Sequence, residues 1–238
     1  MKRIVPTPSR AEQAYQAILD QICDGALAPG THLVQEQLAA RLGVSRQPIQ
    51  QAMARLKSDG LVEELGARGL YVAPLDLAAM DQHYAIRVAL DELAVRLAAG
   101  RAKASPGAAA AIARDGEAIL ATGEAAVAAG DVSQMVRHDV AFHRFLYAAS
   151  GNDLLAGTAE PHWRYLRRVM GEVLRFAEPG QAIWQQHREI LEAVVAGDAV
   201  RAIERTRRHV GGAAERLKRA FDEGRLAAGP GAPARQPG

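Results

Sequence analysis

The chain has 238 residues, a formal net charge of +2, 49% hydrophobic but only 5% aromatic residues, and one cysteine. That length suits one large domain or two ordinary ones, and the near absence of alternating Val/Ile/Thr runs predicts a mostly α protein. The balanced charge excludes a global basic field, the lone cysteine excludes an internal disulfide and suits a reducing cytoplasm, and no apolar run approaches the about 20 residues that span a bilayer.

Residues 1–9, with two prolines, and 225–238, rich in Pro, Gly and Ala, read as disordered ends. A first helix is expected over 10–24, where Ala14, Ile18 and Ile22 recur at helical spacing and Cys23 reads as a small buried hydrophobe. The segment GALAPG stops it. Helices at 35–42 and 47–59 are separated only by Gly43, Val44 and Ser45, the spacing of a helix-turn-helix. After Gly60, the runs LVEEL and LYVA flank GARG, which predicts a β-hairpin, or wing.

In the third helix Ile49, Ala52, Met53 and Leu56 share the packed face, Ser45 is placed to cap the N-terminus, and Pro48 is tolerated in the first turn. This leaves Arg46, Gln47, Gln50 and Gln51 outside, at the end of a recognition helix that enters the major groove. There Arg pairs with guanine and Gln with adenine. Arg68 at the wing tip is placed for a phosphate or the minor groove, with Gly66 and Gly69 permitting the turn.

On these residues the segment 10–74 resembles the winged-helix domain of GntR-type bacterial transcription regulators. The glycine after the proline in GALAPG, the LGVSR turn, the proline inside the third helix and the DGLV exit carry the likeness. It implies a homodimer on double-stranded operator DNA, most often a repressor. Family members usually carry Arg and Glu where this chain has Gln50 and Gln51, which implies a different operator sequence and affinity.

Beyond Pro74 the pattern is long helices only: 77–102, 107–129, 131–149, 153–177, 181–196 and 198–223, broken at SPG, GD, SGN, EPG and GD. Without a sequence repeat, residues 75–224 read as an antiparallel all-helical bundle serving as an effector-binding and dimerisation domain.

Val132, Val136, Asp139, His143 and Leu146 fall on one narrow helical stripe, so an aspartate and a histidine point into the core. Burying an unpaired carboxylate costs several kcal/mol, so Asp139 needs a cation, a metal or hydrogen bonds. A local Asp139–His143 hydrogen bond or an arginine partner is one answer. His187, on the stripe of Ile183, Leu191 and Val194, also points inward, and His209 lies at the border of an apolar face. Together the four form a possible Asp/His3 set for Zn or Ni.

The order D..FH, SGN, then one histidine in each of the last two helices, resembles the FCD effector domain of the FadR branch of GntR regulators, over residues 77–222. The resemblance implies that Asp139, His143, His187 and His209 ligate a divalent metal. Coordination positions left open would accept a small organic acid aided by an arginine. Arg87 matches an arginine of the family's first effector-domain helix, with a structural pair to Asp91 as its other reading. Asn152 and the group from Arg164 to Arg168 are weaker pocket candidates. His32, His83, His138 and His162 read as surface or supporting groups.

A metalloenzyme would also fit an Asp/His3 centre with open positions. Against it stand the lack of a second DxxxH pair, of a general base beside the ligands, and of any reason for a fused DNA reader. A purely structural metal is the third reading.

Overall fold

The computed structural model describes residues 8–66, 69–176 and 180–223. The N-terminal arm up to residue 7, Ala67, Arg68 and the C-terminal tail lie outside them, as do Glu178 and Pro179 of the EPG break. The chain divides between Leu75 and Asp76 into two units.

In the first unit, α1 (Arg10–Cys23), α2 (Gln35–Leu42) and α3 (Arg46–Ser58) precede strands β1 (Val62–Glu64) and β2 (Leu70–Val72). Ser9 caps α1 through its side chain. Tyr15, Ile18, Leu19, Ile49, Leu56 and Leu61 are buried at its centre, and each large apolar side chain so buried contributes roughly 1.5–3 kcal/mol. Gly43 ends α2 in the left-handed region at φ 63°, which lets the chain reverse into α3 without a Cβ penalty.

The strands pair antiparallel, Val62 opposite Val72. The segment after GALAPG does more than stop a helix. Gly30 N–H donates to Val72 O and Leu33 N–H to Leu70 O, so this stretch lines β2 as a third, irregular edge, and His32 stacks on Tyr71 at 4.7 Å between ring centroids. The bonding is through backbone, which carries no side-chain period for sequence reasoning to detect.

The second unit contains α4 (Leu77–Ala104), α5 (Pro106–Ala128), α6 (Val132–Ser150), α7 (Leu154–Phe176), α8 (Gly180–Val195) and α9 (Ala199–Asp222). Asp76, Ser105, Asp131 and Asp198 each cap the following helix by accepting a backbone N–H, as expected of short polar side chains at N-termini. Helix α4 packs on all five others.

Two glycines of α5 set its approach to α8. A Cβ on Gly116 would stand 2.5 Å from Leu191 Cδ1, and one on Gly123 would stand 2.1 Å from Trp184 Cζ2. Their absence of side chain brings Trp184 inward onto His187, with ring centroids 4.4 Å apart.

Candidate functional site

The centre of the helical unit is polar. Asp139 and His143 come from α6, His187 from α8 and His209 from α9, all buried, and each offers a ligand atom within 4.8 Å of the others. The stripe on α6 put the first two inward. His209, which the sequence placed only at the border of an apolar face, is 4% exposed and fully part of the cluster.

His187 Nε2 lies 3.2 Å from Asp139 Oδ1 and 3.2 Å from His209 Nε2. His143 Nε2 lies 3.9 Å from Asp139 Oδ2. Bonds of about 2.0–2.2 Å to one ion separate neighbouring donors by about this distance.

Of the outer nitrogens, that of His209 is hydrogen-bonded in the manner of a metal ligand, and that of His143 faces a carboxylate. His143 Nδ1 is 3.1 Å from Asp91 Oδ2, and His209 Nδ1 is 2.8 Å from Gln186 Oε1. His187 is instead fixed by aromatic packing between Phe142, at 4.3 Å, and Trp184.

Asp139 Oδ2 is buried with no hydrogen-bond partner. An orphaned carboxylate oxygen beside three convergent imidazole nitrogens is the observation a cation would explain, so these residues fit a divalent metal.

Electrostatics prepare the same donors. Burial alone would raise the Asp139 carboxyl, but the hydrogen bond with His187 and the nearby Arg87 guanidinium hold it below the usual carboxylate range. Burial pushes His187 down to about 4 against the pull of Asp139, and burial also drives His209 well down. An ionised Asp139 and neutral His187 and His209 are protonation states that metal binding requires.

Beside the cluster lies a narrow cavity of about 20 Å³, bounded by Tyr84, Arg87, Asp139, His209 and Arg216 and closed by apolar Met170, Leu174, Ile183 and Ala213. Tyr84 Oη is buried without a hydrogen-bond partner. Burial raises it to about 12, so it remains an O–H donor.

Arg87 makes the pair with Asp91 that the sequence offered as its structural reading, and it also borders the cavity. Arg87 Nε donates to Asp91 Oδ2 at 3.3 Å, while Nη2 is 2.7 Å from His143 Nε2 and 3.9 Å from Asp139 Oδ2. Its guanidinium also lies over the Trp163 ring at 4.4 Å, a cation–π contact.

Asn152 is elsewhere. Its Oδ1 accepts from Leu154 N–H at the start of α7, and it does not line the cavity. A short polar residue in a turn serves as a local cap as readily as a pocket group, and here the capping bond is present. Arg164, Arg167 and Arg168 do not line the cavity either.

Sequence reasoning missed Gln186, which carries no apolar-stripe signal. It also missed the second role of Asp91, although Met80, Tyr84, Arg87 and Asp91, all buried on one face of α4, offered a signal: two charges on a core stripe need partners.

In the first unit, Ser45, Arg46, Gln47, Gln50 and Gln51 are all exposed, while Ile49, Ala52, Met53 and Leu56 turn inward. Ser45 stands at the N-cap of α3, but its side chain makes no capping hydrogen bond. Its hydroxyl is therefore uncommitted to the helix, contrary to the capping expectation. Arg46 pairs with Glu36 at 2.6 Å, both more than half exposed.

A groove of about 530 Å³ runs along α3 beside the hairpin, lined by His32, Arg46, Gln50, Lys57 and Gly69 among others. Gly69 has φ 100°, and a Cβ there would stand 2.9 Å from His32 Nε2. Arg68, expected at the wing tip, lies outside the described residues.

A winged helix joined to a helical unit defines a DNA-binding transcription regulator. Comparison agrees: residues 10–72 match the model of bacterial regulatory proteins of the gntR family, and residues 82–212 match the FCD domain. The chain belongs to the GntR family, with an FCD domain, and is a transcriptional regulator rather than an enzyme.

It is 28% identical over 228 residues to the uncharacterized HTH-type transcriptional regulator YdhC of Bacillus subtilis, covering 92% of this chain and 96% of that one. It is 26% identical over 197 residues to the HTH-type transcriptional repressor RspR of Escherichia coli, covering 82% and 84% respectively. The solved structure of E. coli McbR/YncC shares the fold with a TM-score of 0.73 at 22% identity, over 90% of this chain and all of that one. No helix among the described residues is long and apolar enough to cross a membrane.

Proposed function

We propose that the chain is a metal-containing, carboxylate-responsive repressor that binds a pseudopalindromic operator as a homodimer in the bacterial cytoplasm, associated with the nucleoid through that operator. The observation that carries this reading is the convergence of Asp139, His143, His187 and His209 in a unit joined to a winged helix. The likeness to a relative named as a repressor supports the sign of regulation.

Residues 10–74 read the DNA. Ser45, Arg46, Gln47, Gln50 and Gln51 face the major groove, and Gly69 with Arg68 forms the wing contact to backbone or minor groove. Residues 75–224 sense and dimerise.

The four donors hold a divalent ion, Zn or Ni, which supplies a Lewis-acidic point for an effector carboxylate. Arg87 and the Tyr84 hydroxyl orient that carboxylate, and the apolar residues opposite select a short apolar tail. Because a cavity of about 20 Å³ holds little more than a water, an effector of several atoms must part the surrounding helices. Its binding energy is thereby coupled to bundle shape, typically by about 1–3 kcal/mol.

Elemental analysis of the purified protein should find one divalent ion per chain, lost on His187→Ala. A short carboxylate should weaken operator binding in the loaded protein and not in the variant. Operator binding that ignores every short carboxylate, with chelation lowering only the melting temperature, would leave the ion a structural role alone.

A further inference from the structure

The lone pair that makes His143 a ligand is already in use. Arg87 Nη2 lies 2.7 Å from His143 Nε2, while Nδ1 of the same ring faces Asp91 Oδ2 at 3.1 Å. A guanidinium can only donate, so Nε2 is the acceptor and the proton of the neutral ring sits on Nδ1. A metal needs this same tautomer and this same nitrogen. One lone pair cannot serve both cations.

Building on the metal reading above, we infer that Arg87 and the divalent ion compete for His143 Nε2, so that a small carboxylate which draws Arg87 away raises the affinity of the site for metal. Arg87 is in this sense a positioning residue with two alternative partners, the imidazole and the effector anion.

Three features support the exchange. Arg87 borders both the cluster and the cavity, so a short swing suffices. Asp91, its nearest carboxylate at 3.3 Å, is on the same helix one turn away and can keep its hold on Nε during such a swing. A divalent charge beside Arg87 and Arg216 repels both guanidiniums, and inside a protein of low dielectric an anion is the economical way to relieve that repulsion. The Tyr84 hydroxyl, buried and without a partner, gives the carboxylate a second donor on the cavity side.

The competition sets the ligand's chemistry as well as its effect. An anion must reach Arg87 from the cavity, whose lining includes the apolar Met170, Leu174, Ile183 and Ala213. A short monocarboxylate with an alkyl tail satisfies both ends. By reciprocity, whatever factor the carboxylate adds to metal affinity the metal adds to carboxylate affinity.

The test uses the full chain, stripped with chelator, and measures zinc and nickel affinity by chelator competition in chloride buffer, with and without acetate or propionate. In the natural protein the carboxylates should tighten metal binding roughly tenfold. Arg87→Gln should bind metal roughly tenfold tighter than the natural protein in chloride and show little further response to carboxylate. Arg87→Lys, which keeps the charge but lacks the fork, should fall between.

The carboxylate arm needs no variant, so indifference there overturns the competition even if Arg87→Gln folds poorly. A tightening is assigned to Arg87, and not to ligation of the ion by the carboxylate, when Arg87→Lys responds less than the natural protein. Metal affinity indifferent to both carboxylates overturns the competition, as does an Arg87→Gln chain that folds with the natural metal affinity and an undiminished carboxylate response. Metal binding equal in the natural protein and in His143→Ala would instead remove the metal reading itself, and the competition with it.

Discussion

Asp91 Oδ2 stands 3.1 Å from His143 Nδ1, and the other oxygen of the same carboxylate accepts the hydroxyl of Tyr147, which in turn accepts from Trp163 Nε1. A chain of buried groups thus places a carboxylate behind the imidazole. Asp91→Asn keeps the shape and removes the charge. Metal affinity, read by chelator competition, should fall about 10–100-fold. The loss of a buried counter-charge for Arg87 should cost about 3 kcal/mol in denaturant unfolding. Unchanged metal affinity would show that Asp91 serves Arg87 alone.

Arg46 tests the DNA surface. Its ion pair with Glu36 is more than half exposed on both sides, so breaking it should change stability by less than about 1 kcal/mol. A bidentate base contact is worth about 1–3 kcal/mol. Arg46→Ala should therefore melt like the natural protein and lose roughly 10- to 100-fold in operator affinity. Retention of full sequence preference in a gel-shift competition would exclude α3 as the reader.

Gly123→Ala probes how the helices place the centre. Relieving a helical glycine gains about 1 kcal/mol, but the added Cβ meets the Trp184 ring at 2.1 Å. Forcing a rigid buried indole aside costs about 3 kcal/mol, so the clash wins. The melting temperature should drop by roughly 4–8 °C, and because Trp184 packs on His187, metal affinity should weaken with it. A variant of equal or higher stability would mean that α5 and α8 separate easily.

The histidine pair between α4 and α7 predicts a pH effect. His83 Nδ1 and His162 Nδ1 are 3.1 Å apart, with His83 stacked on Tyr165. Burial, and for His83 the neighbouring His162, hold both below the ordinary histidine value of about 6.5. Below that value the unfolded chain binds more protons than the folded one, so stability rises with pH through this window and is lost on acidification. His162→Gln removes one of the two. Between pH 7.5 and 5.5 its melting temperature should fall less than that of the natural protein, and parallel curves would refute the linkage.

Much of this architecture was legible because helices repeat every 3.6 residues. That period placed Ile49, Met53 and Leu56 inward and Arg46, Gln47, Gln50 and Gln51 outward on α3, and it put Asp139 and His143 on the core stripe of α6. Legibility ended where partners come from different helices. Nothing in the order of residues sets Asp91 of α4 behind His143 of α6, or Gln186 beside His209, because those contacts depend on how far helices slide past one another. Polar residues in turns were ambiguous for another reason: Asn152 could as well have faced a pocket, and only its bond to Leu154 N–H assigns it to the turn.

The candidate centre contains three imidazole nitrogens and one carboxylate and no sulfur; the chain's single thiol, Cys23, is buried in α1 of the other unit. Nitrogen and oxygen donors rank first-row ions in the general order that puts copper above nickel and zinc, and nothing in this set reverses that order. Which ion such a donor set would hold is therefore a matter of cellular supply. Lacking thiolate ligands, the donor set also offers peroxide no sulfur to oxidise, so a thiol-based redox response is not built into this centre.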